Sequence, residues 1–382
     1  MNLRLNAEQE AMRKLVRQFA RDVIAPRAAE IDETDVFPRD ILVLMGSMGL
    51  MGLPIPEEWG GIGADYLSYM LAIEEISYAS AALGVILAVH TSVGTMPILS
   101  FGSEEQKRRY VPNLASGDWL GAFALTEPGA GSDARSIQTR AVRSGDEYVV
   151  TGGKVFITNG GEADVYTVFA VTGDADGQRE LSAFLVERDT PGLVIGRKER
   201  KMGLNGSSTA ELIFEDMRLP AAQRLGEEGQ GFAIAMSQLD GGRIGIAAQA
   251  LGIARAALDA VLGYTQERRQ FGRAIAEFQG VQVMLADMAM QIEAARLLTY
   301  RAAYLRSQGD ACTMEASMAK LYASDAAMRV TTDAVQLFGG YGYTKEFPVE
   351  RYMRDAKVTQ IYEGTNQIQR VVITKSLERQ SR

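Results

Sequence analysis

The chain has 382 residues, a formal net charge of -8, one histidine and one cysteine. With 47% hydrophobic and 23% charged residues it reads as a soluble globular protein, long enough for two or three domains. The acidic balance and the lack of any Lys/Arg-rich run exclude a general nucleic-acid surface.

Cys312 is alone, which rules out an intrachain disulfide and fits a reducing compartment. His90 sits in the apolar stretch 79–98, where a packed core histidine is expected. Histidine-based triads and metal sites would all need that one residue. No metal site is therefore expected, and the chemistry falls to carboxylates or a cofactor. The most apolar run, 81–89, is too short to span a bilayer, so no membrane insertion is expected. The N-terminus already has a helical pattern. It predicts no targeting segment and a cytoplasmic location, or the mitochondrial matrix for a mature eukaryotic form.

Residues 6–25 carry a strong amphipathic helix pattern, with Asn6 and Gln9 spaced as a capping box. A short helix follows Pro38 as far as Met48. Pro54 to Gly63 is a loop by its Pro and Gly content. From 66 to 101 the pattern is helical again, apolar on nearly every side, and predicts a central buried helix. Ser103 to Gln106 opens another helix that ends near Gly117. The character changes at Gly121. Five runs read as strands: 148–151, 155–158, 165–169, 182–186 and 210–214. No helices lie between them, so an antiparallel barrel or sandwich is expected. Four long helical segments follow, at about 231–264, 278–308, 313–338 and 367–379. The predicted fold class is α+β and multidomain. It comprises a helical domain (1–120), a middle antiparallel β domain (121–228) and a C-terminal four-helix bundle (229–382).

Several short motifs could carry chemistry. Thr126-Glu127-Pro128-Gly129-Ala130-Gly131-Ser132-Asp133 formally contains a dinucleotide fingerprint, but Pro128 and the strands that follow exclude a βαβ unit. The stretch can still offer amides and hydroxyls to a pyrophosphate or a planar ring; the plain alternative is a Gly-rich turn. Phe156-Ile157-Thr158-Asn159-Gly160 ends a strand in a turn and could cover a ring. Asp240-Gly241-Gly242-Arg243 introduces a long helix, as a local ion pair or as a clamp on a ligand. Glu267 to Gly272 links two helices, and Gln336 to Gly342 ends one. In Ile361-Tyr362-Glu363-Gly364-Thr365-Asn366-Gln367, Glu363 falls at a backbone bend. Thr365 or Asn366 can cap the helix beyond it. Glu363 there is a solvated loop acid or a general base.

Taken together, these blocks closely resemble the acyl-CoA dehydrogenase family, and the resemblance runs from Pro56-Glu57-Glu58-Trp59-Gly60-Gly61 to the C-terminus. The resemblance implies FAD as cofactor, an acyl-CoA thioester as substrate and α,β-dehydrogenation to a trans-2-enoyl-CoA. Glu363 matches the catalytic base, which removes the α-proton while flavin N5 takes the β-hydride. The thioester oxygen would accept hydrogen bonds from the Glu363 amide and a flavin hydroxyl. Some relatives carry the acid one residue before the position of Arg243, where this chain has Gly242.

By the same matching, Phe123, Leu125, Thr126, Ser132, Phe156 and Thr158 would line the flavin site, and Thr365 and Gln367 would touch the cofactor near the base. Arg268, Gln270, Phe271, Gln336 and Gly340 would reach a neighbouring subunit's FAD, which implies a homotetramer. Asp240, Arg243, Tyr362, Gly364 and Ser132 would meet the acyl-CoA. Many relatives have Trp where Phe156 stands, so Phe156 is expected to stack and not to donate a hydrogen bond. No Lys or Arg lies between Ala79 and Phe101, which disfavours a dicarboxylic acyl group. The blocks at 206–209 and 240–249 look most like short-chain and short-branched-chain members. Electron-transfer flavoprotein is the expected acceptor. An oxygen-using acyl-CoA oxidase and a non-catalytic acyl-CoA-binding protein on the same fold are the alternatives.

Overall fold

The computed structural model describes residues 4–175 and 178–380. Its N-terminal part holds α1 (Ala7–Phe19), α2 (Ala28–Thr34), α3 (Arg39–Ser47), α4 (Tyr66–Ala79), α5 (Ala81–Val89), α6 (Met96–Phe101) and α7 (Glu104–Ser116). The predicted capping box at Asn6 forms, and the helix start expected at Ser103 is a second one. Asn6 Oδ1 accepts from Gln9 N at 2.8 Å, and Ser103 Oγ accepts from Gln106 N at 3.2 Å.

The stretch 66–101 is not one helix. Ser80 is extended (φ -150°, ψ 111°) and its side chain caps α5, so α4 and α5 meet at an angle. From Ala81 the chain stays helical to Phe101, through a wide turn at His90–Thr95. That run of 21 residues is longer than the apolar core at 81–89 suggested. It and the helix beginning at Gly231 are long and apolar enough to cross a membrane. Within their apolar windows 89% and 78% of residues are nevertheless buried inside the protein.

His90 is a buried core residue, as expected. Its Nε2 meets Leu114 O at 2.9 Å and its Nδ1 accepts from Gly121 N at 3.0 Å. Only a neutral ring with its proton on Nε2 makes both bonds.

The middle part is one eight-stranded sheet: β1 (Gly121–Ala124), β2 (Arg140–Ser144), β3 (Glu147–Thr158), β4 (Val165–Ala175), β5 (Gln178–Glu187), β6 (Leu193–Lys198), β7 (Thr209–Pro220) and β8 (Arg224–Leu225). The order is β6-β7-β3-β2-β4-β5-β8, with β1 also on β4. The expected antiparallel barrel or sandwich is corrected here to an open, mixed sheet. β1 and β2 both pair with β4 in parallel: β3 runs antiparallel to β2 and carries the chain back, so that β4 starts again in the direction of β1 and β2. The two strands predicted at 148–151 and 155–158 are one twelve-residue strand, irregular between Val150 and Gly152 and between Lys154 and Ile157.

The C-terminal part contains α8 (Gly231–Glu267), the β9–β10 hairpin (Arg269–Gln270 and Arg273–Ala274), α9 (Gln279–Ser307), α10 (Thr313–Phe338), α11 (Val349–Thr359) and α12 (Asn366–Gln380). The four long helices match the predicted segments; α11 is additional. Helix α8 packs on α4, α9 and α10. A Cβ at Gly252 would lie 2.4 Å from the Glu74 carbonyl oxygen, so the α4–α8 crossing needs glycine there. Beside it the buried acids Glu74 and Glu75 meet Arg255, with Arg17 on Glu75 and Tyr300 on Glu74. These pairs join α1, α4, α8 and α9 where the sequence shows few charges.

Candidate active site

The bend between α11 and α12 carries Glu363. Ile361 N and Tyr362 N both bond to Val358 O, and Asn366 N returns to Gln360 O at 3.0 Å. Between them Glu363 (φ 52°) and Gly364 (φ 85°) are both left-handed. Glycine adopts that conformation freely; a glutamate there costs on the order of 1 kcal/mol or more. The surroundings hold it. Gln369 Nε2 donates to Glu363 O (3.0 Å) and Gly364 O (2.9 Å), and Lys320 Nζ donates to Gly364 O (2.7 Å). Tyr362 OH bonds to Gln249 Oε1, and Gln249 Nε2 donates to Ala81 O, which ties the bend to α8 and α5. Thr365 Oγ1 accepts from Ile368 N at 3.3 Å, so Thr365 caps α12.

Glu363 is half-buried as a residue, but its Oε2 is shut from solvent and has no hydrogen-bond partner. Burial pushes the carboxyl up to about 7, against the opposing pull of Arg243 and Lys320. A carboxylate with a free oxygen and such an affinity for protons has the chemistry that a general base near neutral pH needs. The Glu363 N–H makes no hydrogen bond among the described residues. It is a free donor beside the carboxylate.

The carboxylate faces a cleft of about 400 Å³ between the sheet and α8. Phe123, Leu125, Thr126, Ser132, Phe156, Thr158, Arg243, Tyr362, Glu363 and Gly364 all line it. Asp240 stands behind Arg243: Asp240 Oδ1 accepts from its NH1 at 2.8 Å, and Asp240 Oδ2 accepts from Thr313. The pair lies inside α8 and not at its start, because the helix already begins at Gly231. Thr365 and the exposed Gln367 lie outside the cleft lining. Arg268, Gln270 and Gly340 line a separate cleft with Tyr264 and Tyr341. Phe271 is 94% exposed at the tip of the β9–β10 hairpin, and Gln336 is exposed on α10.

The cleft fits a flavin. Phe156 is left-handed (φ 59°) and 64% exposed at its wall, a large apolar ring facing outward. Nothing lies within 4 Å of a Cβ built on Gly129 or Gly131. The loop after β1, which carries Gly129 and Gly131, is held to β3 by Glu127 and Lys154, both buried. Lys154 Nζ meets Glu127 Oε1 at 2.7 Å and Leu125 O at 3.1 Å, while Glu127 accepts from the amides of Gln138 and Thr139. Among the described residues no cluster of His, Cys, Asp or Glu is placed to hold a metal ion.

Three residues were not singled out in the sequence: Lys320, Lys154 and Gln249. Lys320 had a legible signal, since it interrupts the apolar stripe Ala316, Ala319, Ala323, Ala327 of a core helix. Lys154 and Gln249 had none.

A helical layer, a mixed sheet and a helix bundle meeting at a buried carboxylate over a ring-sized cleft define a flavoprotein dehydrogenase. The chain belongs to the acyl-CoA dehydrogenase family. The models of its N-terminal, middle and C-terminal domains match residues 6–118, 122–217 and 229–378. Members of this family depend on FAD, and FAD is the cofactor here. An acyl-CoA dehydrogenase of Bacillus subtilis (strain 168) is 60% identical over 98% of this chain and 99% of its own length. The butyryl-CoA dehydrogenase of Megasphaera elsdenii has the same fold, with a TM-score of 0.97 and 48% identity over 99% of this chain and all of its own. A chain solved in work on the electron transferring flavoprotein of Acidaminococcus fermentans matches with a TM-score of 0.97 and 51% identity over 99% of both chains.

Proposed function

We propose that this acyl-CoA dehydrogenase oxidises short-chain or short-branched-chain acyl-CoA thioesters to trans-2-enoyl-CoA, with Glu363 as the base. The observation that carries the reading is the Glu363 carboxylate at the cleft wall, with an oxygen, Oε2, that is shut from solvent and has no hydrogen-bond partner. The α-proton of a thioester is weakly acidic. A carboxylate in water is a poor base for it, and burial narrows the gap. The Glu363 carboxylate takes the proton from Cα, and the electrons of that bond become the new double bond. FAD, when bound, supplies the acceptor for the hydride that leaves Cβ.

The free Glu363 N–H stabilises the charge that develops on the thioester oxygen. Arg243 and Tyr362 bound the cleft beside the base and orient the thioester. Asp240 acts through Arg243. Leu125, Thr126, Ser132, Phe156 and Thr158 hold the flavin, with Phe156 covering one ring face. Thr365 and Gln367, which lie outside the cleft lining, meet the cofactor near the base. Arg268, Gln270, Phe271, Gln336 and Gly340 serve a second copy's FAD in a homotetramer, in keeping with their exposure away from the Glu363 cleft.

The apolar lining from Val89, Val93 and Ile246 suits an alkyl chain and offers no cation from α5 to a second carboxylate. The butyryl-CoA relative supports a short chain. The likeness to a chain solved in work on an electron transferring flavoprotein supports that protein as acceptor.

The test is anaerobic addition of butyryl-CoA to the FAD-loaded protein. Bleaching of the flavin band in wild type, lost at least 1,000-fold in rate in Glu363→Gln with FAD content unchanged, is expected for removal of a general base together with its charge. Equal bleaching in both proteins would exclude Glu363 as the base.

A further inference from the structure

One buried charge beside the bend has no part in the chemistry above. Lys320 is fully buried on α10. Its Nζ donates to Gly364 O at 2.7 Å and Asn366 Oδ1 at 2.9 Å, and no carboxylate lies within 4.0 Å of it among the described residues. An ammonium buried against neutral acceptors is costly, and a neutral side chain could make the same two hydrogen bonds. The charge itself therefore needs an explanation.

The surrounding charges supply one. Asp325 on α10 is already engaged: its Oδ1 accepts from Gln360 and Asn366, and its Oδ2 faces Arg370 of α12. Asp240 on α8 is held by Arg243 and Thr313. Tyr66 on α4 and Tyr362 on the bend are neutral phenols pushed up by burial. Glu363 is the remaining acid, and it has an oxygen without a partner. Arg243 opposes the burial of Glu363 from the α8 side and is, with Lys320, the cation that acts on it among the described residues.

We propose that Lys320 is a positioning residue for the base: it pins the left-handed bend through the Gly364 carbonyl and supplies the buried positive charge that keeps Glu363 ionised before substrate arrives. The proposal rests on the reading of Glu363 as the base. Burial pushes Lys320 down and Glu363 up, and each group's charge opposes that push on the other. Each charge stabilises the other. Removing the ammonium leaves burial unopposed from the α10 side, so Glu363 holds its proton to higher pH.

The experiment follows the Glu363 carboxylate by infrared difference spectroscopy in substrate-free, FAD-loaded protein, with the band assigned by its loss in Glu363→Gln. Lys320→Gln keeps a donor for Gly364 O without the charge; Lys320→Met removes both; Lys320→Arg keeps the charge. The Glu363 midpoint should move up by about one pH unit or more in Lys320→Gln and Lys320→Met, and stay close to wild type in Lys320→Arg. The pH profile of bleaching by butyryl-CoA should move with it. Its high-pH limit should be regained in Lys320→Gln but not in Lys320→Met, where the bend is also released. An unmoved midpoint in Lys320→Gln would overturn the proposal, as would an equal shift in Lys320→Arg. The infrared titration needs no turnover. Wild type that fails to bleach, with a midpoint that still follows Lys320, would sink the dehydrogenation reading and leave the charge coupling supported.

Discussion

A Cβ placed on Gly242 would lie 2.5 Å from Oε2 of Glu363. Helix α8 therefore comes up against the carboxylate with only a hydrogen between them. The residue at 242 limits where the Glu363 carboxylate can sit.

Gly242→Ala should displace the carboxylate while leaving the fold in place, since alanine favours a helix interior by about 1 kcal/mol over glycine. A displacement near 1 Å predicts a fall of roughly 100-fold in the rate of flavin bleaching. Gly245→Ala is the control. Its Cβ would meet Ala88 and Ile73 at ordinary contact distances of 3.5 and 3.6 Å, so its rate should stay close to wild type. Stopped-flow bleaching of both variants decides. Equal rates would mean that the carboxylate relocates freely.

The Glu127–Lys154 pair predicts a link between stability and flavin retention. Burial pushes the Lys154 ammonium down to about 8 against the pull of Glu127. Lys154→Met strands the buried carboxylate and releases the Leu125 carbonyl next to the flavin loop. A loss of about 3–5 kcal/mol in stability is expected. Weaker FAD binding on reconstitution of the apoprotein should accompany it. The double variant Glu127→Gln/Lys154→Met should recover much of the stability. Thermal melts and FAD titrations check both statements.

His90 predicts a specific acid sensitivity. Burial holds its ring down to about 4, below the usual 6.5. Between those values the unfolded chain binds a proton that the folded chain refuses, so the stability contributed by the neutral ring is lost as pH falls from about 6.5 towards 4. The full effect is about 3 kcal/mol at the low end. Denaturant melts at pH 7 and pH 4.5 should show a steeper acid loss in wild type than in His90→Gln. Parallel losses would show that the histidine does not titrate on unfolding. The chain has one histidine, so its ring signal is unambiguous in a proton NMR titration.

What was legible in the chain follows the range of each interaction. Capping boxes, the α1 stripe and the glycine-ended helices depend on neighbours three or four residues apart, and they appeared where expected. The break at Ser80 escaped because its hydroxyl cap is hidden in a uniformly apolar pattern. The parallel pairing of β1 and β2 with β4 escaped because strand direction depends on the route of the intervening chain.

The sequence by itself determined the helix–sheet–helix order, the family through its motif blocks, and Glu363 as the acid at a bend. These rest on local propensity and on short runs of residues. Tertiary structure alone decided that Glu363 and Gly364 are both left-handed, that Oε2 has no partner, and that Gly242 from α8 and Lys320 from α10 close around the bend. The contacts around the bend join residues far apart in sequence: Lys320 and Gly364 are 44 positions apart. The proton affinity of a carboxylate is set by what surrounds it in space, which no stretch of neighbouring residues contains.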